Sequence, residues 1–158
     1  NLRFQGWRIL AVANSHFDPG HLKSLAAALQ NFPLEVAFPD LTRAKNARRL
    51  SAEFQSGACH AGQYEGSIVL ARHPELVHGH TDLPDVSRSL VEAMVQGKTT
   101  FTEAGGPNAY FGAPRLATAE EGQATIEELG QILVESVLEQ TQKKAGSTKP
   151  PAQGETLL

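Results

Sequence analysis

The run from Arg8 to Asp40 constrains this chain more than any other. It opens with "RILAVA" (8–13), a short apolar stretch with β-branched residues that reads as a buried strand. The stretch stops at Asn14. "DPGHLKSLAAALQNF" (18–32) then follows, with Leu22, Leu25, Ala26 and Leu29 at i, i+3, i+4 and i+7. That spacing places the four on one face of a helix. Asp18 is suited to cap it, and Pro19 to its first position, where a missing N–H costs nothing. "LEVAFPD" (34–40) is a second strand. A strand, a helix and a strand in immediate succession imply a parallel pair joined by a right-handed crossover. The expected fold class is therefore α/β, a layered domain.

The remaining segments fit that class. "LTRAKNARRLSAEF" (41–54) is a helix or a partly ordered loop, and 65–77 reads as a helix carrying Ile68, Val69, Leu70 and Leu76. "DVSRSLVEAMVQG" (85–97) is either a helix or irregular, and "FTEAGGPNAYFGAP" (101–114) is a Gly/Pro loop carrying aromatics. Thr118 and Glu121 form a capping box for the last helix, whose apolar stripe is Ile126, Leu129, Leu133 and Val137. From about Lys143, "KKAGSTKPPAQGETLL" has no periodicity and reads as a disordered tail, leaving one domain over 1–142. The opening "NLRFQGW" reads as the end of a helix turning into the first strand, which suggests a chain that begins mid-fold.

Composition removes several classes of function. A formal net charge of −3 gives no electrostatic case for nucleic acid or an anionic membrane as partner. No apolar run approaches the roughly 20 residues needed to span a bilayer. A single cysteine excludes an internal disulfide and points to a reducing, cytoplasmic setting.

In open α/β sheets ligands gather at the carboxyl ends of the strands, which directs attention to "NSHFDPGH" (14–21). His16 and Asp18 are separated by one residue and in an extended turn point to the same side. Imidazole nitrogen and carboxylate oxygen suit zinc, manganese or iron. Alternatively, Asp18 only caps the helix and His16 is a polar loop residue. His21, in the first helical turn, is expected to be exposed or locally bonded.

A second stretch, "GACHAGQYEGSIVLARHPELV" (57–77), places His60 and Glu65 at the mouth of a helix among small residues. The pair supports amide hydrolysis if a metal is close, since a metal polarises a carbonyl while a nearby base moves protons. Glu65 is equally favoured there by the helix dipole alone, and His60 by simple packing. Cys59 is read as a small buried hydrophobe, with a thiol nucleophile as a remote alternative. His73, His78 and His80 are read as solvent-exposed.

Residues His60, Ala61, Gly62, Glu65, Ser67, Pro74, Leu76 and Val77 carry a resemblance to the creatininase (creatinine amidohydrolase) family. Its members typically read His-Ala-Gly-x-x-Glu-Thr-Ser before a helix ending in Pro-Asp-Leu-Val. The chain departs at Gly66, where Thr is usual, and at Glu75, where Asp is usual. "RILAVANSHFDPGH" likewise resembles the family's strand leading to Asn-Gly-His, and "GGPNAYFGAPRLATAEEG" its carboxyl end. The likeness runs over most of residues 6–140.

The resemblance implies a three-layer α/β/α fold on a mostly parallel sheet, a homo-oligomer that is often a hexamer, and a two-metal centre hydrolysing small amides. It implies His16 and Asp18 as ligands of a divalent metal (Zn, Mn or Fe), and Glu65 as a ligand or acid/base partner. By the same analogy His60 is the proton shuttle or stabiliser of the tetrahedral intermediate, and Phe17 lines the substrate pocket. Family members also carry an amino-terminal half with a Glu-x-His pair and a bridging aspartate. Nothing before Trp7 supplies these, so the chain is expected to be the family's carboxyl-terminal half. The only tryptophan, Trp7, lies outside Leu34–Cys59, where the resemblance puts the aromatic flap of creatinine specialists. Another small amide, lactam or formamide is therefore the expected substrate. The alternative is a non-catalytic creatininase-like fragment with a binding or assembly role.

Overall fold

The computed structural model describes residues 2, 4–58 and 60–147. It divides into two compact units, one comprising Asn1–Pro39 with Ile132–Leu158 and the other Asp40–Gln131.

The first unit holds the strand–helix–strand run. β1 (Ile9–Ala11), α1 (Pro19–Gln30) and β2 (Glu35–Ala37) follow in order, and the strands pair in parallel with Ile9 opposite Glu35 and Ala11 opposite Ala37. The regular strands are three residues long, shorter than the apolar runs suggest, and one further bond extends the ladder at each end. Glu35 N–H donates to Arg8 O at 3.1 Å, and Val12 N–H to Ala37 O at 2.9 Å. Asp18 caps α1 by accepting from His21 N–H at 2.9 Å, with Pro19 at the first helical position as expected. Of the helical stripe, Leu22, Leu25 and Leu29 are half-buried and Ala26 is exposed, so α1 has no fully buried residue. Residues 4–6 form a turn, tied by Gln5 N–H and Trp7 N–H to Leu2 O, rather than the end of a helix.

The second unit is mostly helical. The segment read as one helix over 41–54 is two, α2 (Ala44–Ala47) and α3 (Ala52–Ser56). Ser51 breaks them apart because its hydroxyl accepts from Phe54 N–H at 3.3 Å, starting a new helix there. α4 spans Gln63–Arg72 and stops before Pro74, whose ring disfavours helical backbone at His73. Pro74–Leu76 forms a separate 3-10 turn in which Leu76 is exposed. The buried residues of α4 are Tyr64 and Ser67, not the aliphatic side chains the sequence suggested. α5 (Leu90–Val95) occupies the middle of the ambiguous 85–97 segment and is capped by Ser89, which accepts from Glu92 N–H at 3.1 Å.

α6 (Ala119–Ser147) gives its residues as far as Gln131 to the second unit and the rest to the first. Only half of its capping box forms. Thr118 Oγ1 accepts from Glu121 N–H at 3.1 Å, but the Glu121 carboxylate accepts from Gln63 Nε2 instead of turning back. Thr118 N–H donates to Ser67 Oγ at 3.0 Å, and Arg49 pairs with Glu128, so α6 is fastened to α4 and to the end of α2. Ile126, Leu129, Leu133 and Val137 are half-buried, while the buried face is carried by Gly122, Thr125 and Ile132. The helix extends to Ser147, past Lys143 where periodicity fades; residues 148–158 of the expected tail lie outside the described residues.

The core of the second unit gathers Ala58, Ala93, Ala104 and Phe111, with Val86 and Leu90 packed against them. The fold is α/β, with helices and one small parallel sheet of two strands among the described residues.

Candidate functional site

The sequence-predicted site residues fall in two loops, one in each unit. In the first, the turn between β1 and α1 is organised by its own polar groups. Asn14 Nδ2 donates to the His16 carbonyl at 2.7 Å, and Asn14 Oδ1 lies 2.8 Å from His21 Nε2. The rings of His16 and His21 meet edge-on, 5.1 Å apart. His21 is thus locally bonded. His16 is exposed, and Phe17 and Asp18 are half-buried. Asp18 does cap the helix, with Oδ1 on His21 N–H.

The second loop runs from Ala58 into α4. Glu65, in the first turn, reaches back so that its Oε2 accepts from Ala61 N–H at 2.7 Å. This secures Ala61, whose φ of +50° is a left-handed conformation costing a side-chain-bearing residue roughly 1–2 kcal/mol. His60 is half-buried, and its carbonyl accepts from Phe111 N–H at 2.7 Å in an isolated antiparallel bridge. Its ring lies on Phe101, with centroids 4.8 Å apart and planes tilted by 31°. Phe101 in turn meets Phe111 at 5.9 Å, so His60 begins a ladder of three rings. Cys59 lies outside the described residues. His73 Nδ1 is 3.1 Å from the Glu75 carboxylate on the surface, and His78 is exposed.

Sequence reasoning missed two parts of this second site. The first is the turn that presents Phe101. Glu103 Oε2 accepts from Thr99 N–H (3.1 Å), Thr99 Oγ1 (3.2 Å) and Thr100 N–H (3.2 Å), while Thr100 Oγ1 accepts from Glu103 N–H (3.2 Å). The signal was the T-x-x-E spacing of a capping box. The Thr99 backbone N–H foremost, then the Thr100 and Thr99 hydroxyls, hold the Glu103 carboxyl below its ordinary 4.5. A folded value below the unfolded one means the carboxylate's contribution is complete above about pH 4.5 and lost as pH falls through the lower folded value. Acidification through the lowered folded value is therefore expected to shift the Thr99 and Thr100 amide resonances. The Glu103→Gln variant, followed by NMR, should lack that transition.

The second missed residue is Glu53 on α3. Its Oε1 accepts from Gln63 N–H (3.0 Å) and Ala113 N–H (2.6 Å), and its Oε2 from Tyr64 N–H (2.7 Å). No sequence pattern marks it, because its partners are backbone groups 10, 60 and 11 residues away.

Imidazole and carboxylate are donors that a divalent first-row cation accepts. In the first loop, His16 and Asp18 Oδ2 have no hydrogen-bonding duty of their side chains among the described residues. No group of three His, Cys, Asp or Glu side chains is placed to hold a metal ion among the described residues. The donor types fit a divalent metal, while among the described residues no full set of ligands is gathered.

Comparison with known proteins supplies what this geometry does not. The family model of creatininase, described as creatinine amidohydrolase, matches residues 1–137. The chain belongs to the creatininase family. No curated protein and no solved structure matches it significantly. Creatininase-family proteins are hydrolases that generally bind a divalent metal, which agrees with the resemblance carried by His60–Val77. No helix among the described residues is long and apolar enough to cross a membrane.

Proposed function

We propose that the chain is a metal-dependent amidohydrolase that cleaves the C–N bond of a small amide, lactam or formamide. Family membership over residues 1–137 supports the reaction class. The observation that carries the site is the loop heading α4, where Glu65 holds Ala61 N–H and so fixes the backbone beside His60.

In this reading His16 and Asp18 would be ligands of a divalent metal (Zn, Mn or Fe) in the first unit, and in the second Glu65 would be a ligand or acid/base partner. When bound, the metal polarises the substrate carbonyl and brings the pKa of water toward neutrality. His60 takes the proton of the attacking water at a ring nitrogen and delivers it to the departing amide nitrogen, or stabilises the tetrahedral intermediate. Phe17 lines the substrate pocket. The same reading carries a three-layer α/β/α arrangement on a mostly parallel sheet and a homo-oligomer, hexameric in form, without nucleic-acid or membrane partners.

One measurement series tests it. Mass analysis of metal in the purified protein is expected to find Zn, Mn or Fe in stoichiometric amount, and His16→Ala to abolish it. His60→Ala is expected to retain the metal and lose about 10²–10⁴-fold in kcat on a small amide or lactam. Unchanged metal content in His16→Ala removes the basis of the assignment. The alternative reading is a non-catalytic creatininase-like chain with a binding or assembly role. Wild-type protein without bound metal and without amide hydrolysis decides for it.

A further inference from the structure

We propose that Glu53 is the positioning residue of the His60 loop, a clamp whose single carboxylate fixes both segments that flank the histidine. The inference for catalysis rests on the proton-transfer role of His60 given above. The clamp itself rests on geometry alone.

Gln63 and Tyr64 are the first two residues of α4, and their N–H groups point out of the helix with no carbonyl partner within it. Such groups are usually satisfied by the N-cap side chain. Here the N-cap is Gly62, which has none. Glu53 fills that place from another helix, with Oε1 on Gln63 N–H and Oε2 on Tyr64 N–H. Its Oε1 also holds Ala113 N–H, two residues beyond Phe111, whose own N–H is bonded to the His60 carbonyl. One carboxylate therefore grips the chain that follows His60 and the chain that lies beside it. Both grips are charge-assisted, and charged acceptors make the stronger bonds.

The glycines of the loop make room for this arrangement. A Cβ on Gly112 would lie 2.0 Å from Glu53 Oε1, and one on Gly62 would lie 2.7 Å from each of the carboxylate oxygens. Glycine on both sides of the carboxylate is what lets it reach three backbone donors. The left-handed Ala61, with its bond to Glu65, and the stacking of His60 on Phe101 lie downstream of this grip. Loss of the carboxylate should release them while leaving the core around Phe111 packed.

Glu53→Gln tests the clamp, because it keeps the side-chain volume but replaces one acceptor oxygen with an NH₂ group that faces an N–H. In the full-length protein the amides of Gln63, Tyr64 and Ala113 are expected to exchange with solvent about tenfold faster or more. Amides in the middle of α6 should be unchanged. The His60 ring resonances are expected to move and their contact with Phe101 to weaken. On an amide substrate hydrolysed by the wild type, kcat is expected to fall about tenfold or more with KM changed by less than about threefold. Should Glu53→Gln fail to fold, Glu53→Asp carries the same test, since it keeps the charge but withdraws it by one methylene. Unaltered exchange at the three amides, or unmoved His60 resonances, overturns the clamp. A variant with faster exchange and moved resonances but wild-type kcat upholds the clamp and overturns its catalytic part. If His60→Ala is also fully active, the loss falls on the proton-transfer role of His60 and not on the grip of Glu53.

Discussion

Phe111→Ala is expected to lower the midpoint of thermal unfolding by on the order of 10 °C, read by calorimetry or circular dichroism. Phe111 is fully buried at the centre of the second unit, among Ala58, Ala93 and Ala104. Its buried partners Ala58, Ala93 and Ala104 are too short to swing into the space a benzyl group leaves. Removing a buried Phe costs about 3–5 kcal/mol when the site cannot collapse. In a chain of this size each kcal/mol moves the midpoint by about 2–4 °C. The N–H of residue 111 still reaches the His60 carbonyl in the variant, so the loss measures packing and not the bridge. A midpoint within about 2 °C of the wild type would show that this cluster is not the core of the unit.

The second large effect runs against helix propensity. Gly122 lies inside α6, and replacing a helical glycine with alanine ordinarily gains about 1 kcal/mol. At this position a Cβ would lie 1.8 Å from the Ser67 carbonyl oxygen and 2.9 Å from the Ala71 Cβ, both on α4. One contact is to backbone and the other to a Cβ, neither of which a rotamer change can move, so the helices must separate. Separation also strains the Thr118 N–H to Ser67 Oγ bond. Gly122→Ala is therefore expected to cost about 3 kcal/mol, in the upper range for overpacking. Gly130 in the same helix meets nothing within 4 Å, and Gly130→Ala is expected to gain about 0.5–1 kcal/mol. Denaturant titration of the two variants checks both signs at once. Equal effects would remove the close approach of α4 and α6 as their cause.

These residues show what the chain discloses when read in one dimension. Local chemistry was legible. Asp18 and Pro19 announce the start of α1, and the strand–helix–strand order requires the parallel pairing of β1 and β2. Hydrophobic periodicity found α6 but assigned its inner face to the bulkiest residues. The buried positions are instead Gly122, Thr125 and Ile132, and at Gly122 the approach to α4 is so close that only glycine fits. The same bias hid Ser67, a fully buried hydroxyl on α4, behind its aliphatic neighbours. At the site, the His60–Glu65 pair was visible as a motif, and its support was not. Phe101, Phe111 and Glu53 reach His60 or its loop only after folding, and beyond the T-x-x-E spacing at Thr100–Glu103 their ring stacking and backbone hydrogen bonds leave no signal in the sequence.

The pairing of β1 with β2 alone has a consequence for handling the protein. Among the described residues no strand pairs with the outer side of either, so alternate N–H and C=O groups on each outer edge have no sheet partner. Free edges of this kind are where separate chains add to one another and aggregate. Resistance to heat should therefore be governed by side chains packed around Phe111, and self-association at high concentration by main-chain groups flanking Ile9–Ala11 and Glu35–Ala37. Buffers and substitutions that improve one property need not improve the other.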